Sequence, residues 1–245
     1  MAERGAALIT GGARRIGRAL VAAAADAGYD VAIHVRSDDD EAQAAAAEVR
    51  ARRRNSMIVT CDLRKESETV ALVGEAEAEL GPITLLVNCA SVFEEDAFED
   101  MNRASWDVHM ETNLRAPLVL AQAFARRLPA DREGLIVNIL DQRVLNPAPE
   151  FFSYSLSKSA LWDATRMLAQ ALAPRIRVNG IGPGPTLASI HQDAAAFEAE
   201  VKSTLLARSV SPAEIAAALR YLIDAPSVTG QMIAVDAGQH LRRKG

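Results

Sequence analysis

The sequence predicts a single α/β domain in which a parallel sheet of about seven strands carries helices on both faces. Short apolar runs alternate with helical patterns along all 245 residues. These runs are continuously apolar, as expected of strands that are buried on both faces of a sheet. No internal repeat, low-complexity tract or linker divides the chain. One doubly wound domain therefore accounts for residues 1–245, and its ligands are expected beyond the carboxyl ends of the strands.

The predicted elements alternate in a regular order. Strand-like runs occupy residues 6–10, 30–35, 56–61, 83–88, 135–140, 176–181 and 231–235. Helical patterns occupy residues 14–27, 38–53, 66–80, 105–128, 155–173, 193–207 and 212–224. Gly28, the Gly81-Pro82 pair and Pro174 each follow a helical pattern and are expected to end it, because glycine and proline stop helices. The acidic residues 38–40 suit the start of the second helix.

The composition restricts the class of partner. Hydrophobic residues make up 49% of the chain, and the formal net charge of −5 gives no electrostatic reason to expect nucleic acid. The sequence has no signal-peptide pattern and no apolar run near the roughly 18 residues of a membrane span. We expect a soluble, cytoplasmic protein without a membrane partner or a metal site. Cys61 and Cys89 are expected to be buried thiols, with a single disulfide as the open alternative.

The turn after the first strand is rich in glycine. It reads TGGARRIG at residues 10–17 and lies at the first strand–helix junction. Such a turn brings backbone N–H groups close to a pyrophosphate at the helix N-terminus, with Gly11, Arg15 and Ile16 as the expected contacts. Glycines alone would indicate only a tight turn, but this position indicates a dinucleotide site.

The second strand-like run ends in Arg36-Ser37. An NAD site usually places an acidic residue here to bind the ribose 2′-hydroxyl. An Arg and a Ser hydroxyl would instead contact a 2′-phosphate, so the predicted cofactor is NADPH, or NADP in its oxidised form. The alternative is that Arg36 is simply solvated.

Tyr154 and Lys158 are four residues apart in a helical pattern that follows Asp141, the residue closing the fifth strand-like run. Side chains at this spacing lie on one face of a helix. A fixed positive charge favours the phenolate and is expected to lower the Tyr pKa, which makes Tyr154 a candidate proton donor. Taken alone, the pair is more often a chance occurrence on a surface helix.

These motifs, in this order and at these spacings, resemble the short-chain dehydrogenase/reductase family over essentially the whole chain. Besides the glycine-rich turn and the Tyr–Lys pair, the resemblance rests on positions that close later strands or lie in the long helix. They are Cys61-Asp62-Leu63, Asn88-Cys89-Ala90-Ser91, Asn113, Pro183-Gly184 and Val235-Asp236-Ala237-Gly238.

The resemblance implies a role for each position. Lys158 would hold the nicotinamide ribose beside Tyr154 and lower the pKa of that Tyr, and Asn113 would support a water in a proton relay. The other positions would line the cofactor: Asp62 and Leu63 at the adenine, Asn88, Ala90 and Ser91 along its length, and Pro183 and Gly184 over the nicotinamide.

Three residues depart from the common family pattern. They are Arg15 in place of a second glycine, Phe93 two residues after Ser91, and Asp141 in place of the usual catalytic Ser. An ionised carboxylate only accepts hydrogen bonds and would oppose an oxyanion. Asp141 therefore argues against ordinary carbonyl reduction, unless it is protonated. It suits a substrate that presents N–H groups and takes up a proton at nitrogen.

The departures resemble one branch of the family, the pteridine reductases and dihydromonapterin reductases, as does the sequence GQHL at residues 238–241. That resemblance implies hydride transfer from NADPH to a pterin ring carbon. Tyr154, assisted by Asp141 and Lys158, would supply a proton to the adjacent nitrogen. Phe93 would lie parallel to the nicotinamide and form a slot for the flat ring, and Arg15 would contact a cofactor phosphate and a ring oxygen. Ser91, Asp141 and Tyr154 complete the implied substrate contacts.

Two other functions stay open. One is NADPH-dependent carbonyl reduction, for example of a 3-oxoacyl-acyl-carrier protein, by an enzyme adapted to Asp141. The other is a cofactor-binding regulatory protein without turnover. Asp141 also has a structural alternative, as an acceptor of backbone N–H groups.

The resemblance also implies a substrate lid and an assembly of subunits. Residues 186–211 correspond to the family's substrate lid, but nothing in them names a substrate, and His191 is expected to be solvated rather than to contact ligand. In the family, apolar faces of the helices at 106–128 and 156–171 pair subunits, which implies a homotetramer; covering the sheet is their alternative role. The basic tail at residues 242–244 receives no predicted role.

Overall fold

The structure is a computed structural model, described here for residues 4–188 and 192–241. One sheet of parallel strands in the order β3-β2-β1-β4-β5-β6-β7 confirms the predicted doubly wound fold. His191 and the basic tail at 242–244 lie outside the described residues. The strands are β1 (Ala6–Thr10), β2 (Asp30–Val35), β3 (Ser56–Thr60), β4 (Ile83–Asn88), β5 (Gly134–Ile139), β6 (Ile176–Pro183) and β7 (Met232–Val235).

Helices cover both faces of this sheet. They are α1 (Arg15–Asp26), α2 (Asp40–Ala51), α3 (Glu66–Leu80), α4 (Arg103–Met110), α5 (Ala116–Arg127), α6 (Phe152–Leu172), α7 (Ala194–Ser203) and α8 (Pro212–Asp224). Helices α1, α2 and α8 supply side chains to one apolar cluster, and α3, α5 and α6 supply the other. Alternate residues of β1 point into the two clusters, because successive side chains of a strand face opposite sides of a sheet. None of the helices in the described ranges has the length and apolar character that crossing a bilayer requires.

The register of the sheet aligns the carboxyl ends of its central strands. Thr10 of β1 pairs with His34 of β2, and Asn88 of β4 pairs with Asn138 of β5. The motifs that close these strands are therefore neighbours at one edge of the sheet, although they are far apart in the sequence.

The helix predicted at 105–128 is not uniform. A π-helical turn, Glu111–Arg115, joins α4 to α5, and Pro117 follows in the first turn of α5. Proline lacks the N–H that an unbroken α-helical ladder would use at this position, and the change in hydrogen-bond pattern lies directly before it. Isolated π-helical turns are frequent at functional sites, and this one carries Asn113.

The predicted start of α6, at residue 155, is wrong by three residues. The helix begins at Phe152, so Tyr154 lies inside its first turn. The preceding residue, Phe151, has φ +54 and its side chain does not cap the helix. The cap comes instead from Asp96, whose Oδ1 accepts the backbone N–H of Ser153 at 3.0 Å. A cap supplied from another part of the chain has no local sequence signal.

Two other element ends differ from the prediction. The helix predicted at 193–207 is shorter, because α7 ends at Ser203 and Thr204 is extended. Strand β6 continues to Pro183, which pairs with Val235 of β7. The expected helix-capping role of the acidic residues 38–40 is confirmed at Asp39, whose side chain accepts the N–H of Ala42 at 3.0 Å.

Candidate active site

The glycine-rich turn packs tightly against the start of α1. A Cβ placed on Gly17 would lie 2.0 Å from the carbonyl oxygen of Gly11, so only glycine allows this approach. The hydroxyl oxygen of Thr10 accepts the N–H groups of Cys89 and Ala90, each at 3.0 Å. The turn after β1 is thereby joined to the loop after β4, as a shared cofactor surface requires.

Arg15 adopts the left-handed conformation, with φ +49, at the position where the family usually has glycine. Its guanidinium donates to the carbonyl oxygens of Leu187, at 2.9 Å, and Ala188, at 3.0 Å. In this structure Arg15 therefore fastens the segment after β6 to the glycine-rich turn. Its expected contacts with a phosphate and a ring oxygen stay a prediction.

Arg36 and Ser37 lie at the end of β2, beside Gly11, and line a small cavity with it. Asp62, after β3, accepts hydrogen bonds from the Arg64 guanidinium, which lowers the pKa of Asp62 to about 2. Under this surface, the His34 ring accepts the N–H of Gly11 at Nδ1, at 3.3 Å, and Nε2 lies 3.2 Å from the carbonyl oxygen of Cys61. His34 thus joins the two loops at which the adenine end of a dinucleotide is expected.

Asn113 joins the loop after β4 to α6. Its Oδ1 accepts the N–H of Val92 at 2.8 Å and the hydroxyl of Ser91 at 3.2 Å. Its Nδ2 donates to the carbonyl of Val92 at 2.9 Å and to Ser157 Oγ at 3.2 Å. The side chain therefore holds a predicted substrate loop against α6, and its role in a proton relay stays a prediction.

Asp141, Tyr154 and Lys158 meet at the end of β5. The Tyr154 hydroxyl donates to Asp141 Oδ2 at 2.9 Å, and the backbone N–H of Arg143 donates to Oδ1 at 2.8 Å. The Lys158 ammonium donates to the carbonyl of Ile139 at 2.8 Å, and its nitrogen lies 5.8 Å from the centroid of the Tyr154 ring. The three predicted side chains thus form one cluster.

Burial dominates the protonation behaviour of this cluster. It raises the pKa of Tyr154 well above its ordinary value, and the Asp141 charge raises it further. This direction is opposite to the one expected from the Tyr–Lys pair, because the sequence pattern carries no information on burial. Burial also raises the pKa of Asp141 and lowers that of Lys158 to about 8. The site favours a protonated phenol.

Aromatic rings form one wall of the cluster. The rings of Phe93 and Phe151 stack with centroids 4.2 Å apart and planes 13° apart. The edge of Tyr154 contacts Phe93 at 4.7 Å between centroids, and the Arg143 guanidinium lies 5.1 Å from the Phe151 centroid. Phe93 therefore lies against Tyr154, and it has a stacking partner, Phe151, that the sequence analysis missed. Its expected position parallel to the nicotinamide stays a prediction.

A single cavity of about 760 Å³ runs from the glycine-rich turn to this cluster. It brings together most of the predicted site residues. Ser37 lines only the smaller cavity, while Asn88 and Asn113 are buried behind the wall. The predicted residues that line the large cavity are Gly11, Arg15, Ile16, Arg36, Asp62, Leu63, Ala90, Ser91, Phe93, Asp141, Tyr154, Lys158, Pro183 and Gly184.

The far wall of the cavity includes part of the expected lid. Gln192, Glu200 and Gln239 line it, and both amides donate to the Glu200 carboxylate at 2.9 Å. These residues were not predicted, because no motif connects the lid with the C-terminal loop. Cys61 and Cys89 are free thiols, and within residues 4–188 and 192–241 no group of His, Cys, Asp and Glu side chains is arranged to hold a metal ion.

Comparisons with known proteins agree with this geometry. The family model described as short chain dehydrogenase matches residues 5–199. FolM alternative dihydrofolate reductase 1 from Brucella suis, crystallised with NADP, is 48% identical; the alignment covers 100% of this chain and 98% of that one, with a TM-score of 0.95. The enzyme of the same name from Brucella canis, also with NADP, is 46% identical, with the same coverage and a TM-score of 0.93.

A curated relative has a different activity. The 3-oxoacyl-[acyl-carrier-protein] reductase FabG of Staphylococcus aureus is 27% identical over 243 residues, which is 96% of this chain and 98% of FabG. The chain is thus similar along its whole length both to FolM proteins and, less closely, to a carbonyl reductase.

Proposed function

The chain belongs to the short-chain dehydrogenase family, and within that family we propose that it reduces a pterin ring with NADPH. The protein is an oxidoreductase and its cofactor is NADP(H), which is present in both FolM structures and in a similar blue fluorescent protein from a metagenomic library, 30% identical with a TM-score of 0.90. The pterin substrate is the part that we propose.

The residues at the glycine-rich turn fit this cofactor. The first turn of α1 has no acidic residue, so no charge in that turn would oppose a phosphate at the positive end of the helix dipole. Arg36 and Ser37 stand beside that turn, where a 2′-phosphate needs a cation and a hydroxyl. Lys158 keeps two of its three N–H groups for other partners, because one is used by Ile139.

The observation that carries the proposal is the contact between Asp141 and Tyr154. A hydroxyl here would donate to a substrate carbonyl, whereas the Asp141 carboxylate accepts. In the proposed complex it would accept N–H groups of a pterin and hold the ring beside the Tyr154 hydroxyl. The flat aromatic wall at Phe93 supports the same substrate class, because heteroaromatic rings stack on aromatic side chains.

The proposed reaction reduces one C=N bond of the ring. Bound NADPH supplies the hydride, which adds to the ring carbon. Tyr154 delivers its proton to the adjacent nitrogen, so the bond becomes CH–NH. The raised pKa of Tyr154 keeps this proton in place before the reaction. The positive charge of Arg143, which lowers that pKa, would act together with the Lys158 ammonium to stabilise the phenolate that forms.

The proposal is tested by following NADPH oxidation with three substrates: dihydrobiopterin, dihydrofolate and a β-ketoacyl thioester. We expect turnover of at least one dihydropterin compound and little turnover of the thioester. Tyr154→Phe should abolish most of that activity, because it removes the proton donor. Tyr221→Phe is the matched control, since Tyr221 is 56% exposed on α8 and outside the cavity lining.

Each alternative has its own result. Turnover of the thioester alone would contradict the pterin proposal and favour a carbonyl reductase, as the similarity to FabG suggests. Binding of NADPH without turnover of any of the three substrates would favour either a different substrate or the regulatory alternative over the pterin proposal.

A further inference from the structure

Three buried polar side chains lie directly behind the aromatic wall and have no part in the proposed chemistry. His109 of α4 and Ser153 of α6 are 0% exposed, and Asp96, in the loop after β4, is 5% exposed. Burying polar groups is costly unless each one is hydrogen-bonded. The hydrogen-bond partners of these three side chains therefore indicate which parts of the structure they hold in place.

The hydrogen bonds of these residues form a chain in which each group donates to the next, from the Glu94 N–H through His109 and Ser153 to Asp96. The backbone N–H of Glu94 donates to His109 Nε2 at 3.1 Å, so this nitrogen carries no proton. Nδ1 must then carry it and donate to Ser153 Oγ, at 2.6 Å. The Ser153 hydroxyl in turn donates to Asp96 Oδ2. Burial lowers the pKa of His109, which favours the neutral ring that this arrangement requires.

Asp96 also supplies the N-terminal cap of α6, which Phe151 does not provide. The first N–H groups of a helix need acceptors from outside it. Asp96 accepts the N–H of Ser153 at Oδ1 and that of Phe152 at its backbone oxygen, each at 3.0 Å. An anionic carboxylate at this position also suits the helix dipole.

The network connects the two residues of the aromatic wall. Phe93 precedes Glu94, whose N–H is held by His109. Phe151 precedes Phe152, whose N–H is held by Asp96. The His109 ring also contacts the Tyr154 ring, with centroids 6.0 Å apart. Fully bonded buried polar groups specify one arrangement of the elements that they join, and here those elements carry Phe93, Phe151 and Tyr154.

We propose that His109, Ser153 and Asp96 form a positioning network that sets the Phe93–Phe151 wall against Tyr154 and thereby determines the affinity for the substrate ring. The proposal deepens the proposed function and rests on it for the identity of the ring. None of the three is a catalytic residue, because their buried atoms do not line the cavity.

The test compares three substitutions of His109. His109→Leu removes both hydrogen bonds and should raise the substrate KM about tenfold, which corresponds to the loss of about one buried hydrogen bond, with kcat and the NADPH KM within about twofold. His109→Gln places an acceptor near the position of Nε2 and should restore most of the KM. His109→Asn can reach only Ser153, so its KM should resemble that of His109→Leu. Asp107→Asn, on the exposed face of α4, is the matched control.

A second measurement does not depend on turnover. The ¹⁵N shifts of the His109 ring in the intact enzyme should show a protonated Nδ1 and an unprotonated Nε2. Ser153→Ala keeps the backbone cap but breaks the chain of side-chain bonds, and it should raise the substrate KM in the same direction. It serves in place of His109→Leu if that variant does not fold.

Three results would overturn the proposal. The first is a lower melting temperature in the variants with an unchanged substrate KM. The second is an equal rise in the KM values of substrate and NADPH. The third is the opposite tautomer of His109. KM is measured with whichever substrate the unaltered enzyme reduces. If that substrate is the thioester alone, the pterin proposal is contradicted, but the effect of the network on substrate KM is still tested.

Discussion

Asp141 accepts two hydrogen bonds that correspond to the two roles considered from the sequence. One oxygen accepts a backbone N–H, that of Arg143, and the other accepts the hydroxyl of Tyr154. The carboxylate is therefore anchored by its own turn while it faces the candidate proton donor. Its side chain is 19% exposed, and burial raises its pKa.

Replacing Asp141 with Asn is expected to reduce kcat/KM for a dihydropterin by roughly 10- to 150-fold, because a charged hydrogen-bond partner contributes about 1.5–3 kcal/mol. The pH profile should change as well. The carboxylate loses its acceptor role as the pH falls through its pKa, and the raised pKa moves this loss to a higher pH than for an exposed Asp. The wild-type activity should therefore fall on the acid side, and that of Asp141→Asn should not. Measuring kcat/KM from about pH 4 to 9 tests both effects.

Asp224→Asn is the control for this experiment. Asp224 lies on α8, pairs with Arg4, and has a side chain that is 54% exposed, so its replacement should leave the profile unchanged. An identical acid limb in the wild-type enzyme and in Asp141→Asn would show that another group causes it.

At the residue scale, the motif residues could be predicted and their surroundings could not. Tyr154, Lys158 and Asp141 follow strand ends at spacings that imply a shared edge, and they do meet there. Phe151 and His109 have no such signal, because they reach the site through contacts between distant parts of the chain. The predicted direction of the Tyr154 pKa shift was wrong for the same reason, since the burial that raises this pKa is a property of the folded protein.

At the scale of elements, the junction between the glycine-rich turn and α1 combines a strained backbone conformation at Arg15 with a long-range contact of its side chain. Arg15 has φ +49, a conformation that costs most residues about 1–2 kcal/mol relative to glycine. In return, its side chain holds the carbonyl groups of Leu187 and Ala188. The first helix is thereby connected to the beginning of the expected lid.

Arg15→Gly and Arg15→Ala should separate these two effects. Both lose the contacts with the lid segment, so both should raise the substrate KM several-fold, on the scale of one or two hydrogen bonds. Only Arg15→Gly relieves the backbone strain, so it should melt at a higher temperature than Arg15→Ala. Thermal denaturation and steady-state kinetics measure the two quantities.

Arg18→Ala is the matched control for the Arg15 variants. Arg18 lies on the same helix and pairs with Glu48 at 2.6 Å, away from the cavity lining. Its substrate KM should equal that of the wild type. If Arg15→Gly also has a wild-type KM, the contact with residues 187–188 does not affect substrate binding.

The existence of the elements was predictable, but several of their ends were not. Periodicity indicates where a helix lies, whereas its end depends on the partners of its terminal N–H and C=O groups. The start of α6 depends on Asp96, and the π-helical turn at Glu111–Arg115 has no periodic signal over so few residues. Both features lie beside the site, and together they position Tyr154 and Asn113.

At the scale of the whole molecule, the class of fold follows from the pattern of apolar runs and helices along the chain. Continuously apolar strands alternating with helices form a parallel sheet only when both faces are covered, and right-handed crossovers then restrict the topology. This is why the fold and the edge that holds the site could be inferred without coordinates. The assembly of subunits depends on the apolar faces of the outer helices. From the sequence, these faces could either pair subunits or cover the sheet.

The outer face of α6 provides a test of the predicted homotetramer. Residues 156, 160, 163 and 167 lie along one stripe of this helix, at the spacing that places side chains on a common face. Two of them are exposed hydrophobic residues, Leu156 at 40% and Met167 at 68%. Met167→Glu should shift the protein from tetramers to smaller species in light scattering, because a buried unpaired charge opposes association. Val70→Glu, at a site 48% exposed on α3, is the control and should leave the mass unchanged. A tetramer that persists in Met167→Glu, or a wild-type monomer, would show that this outer face does not pair subunits.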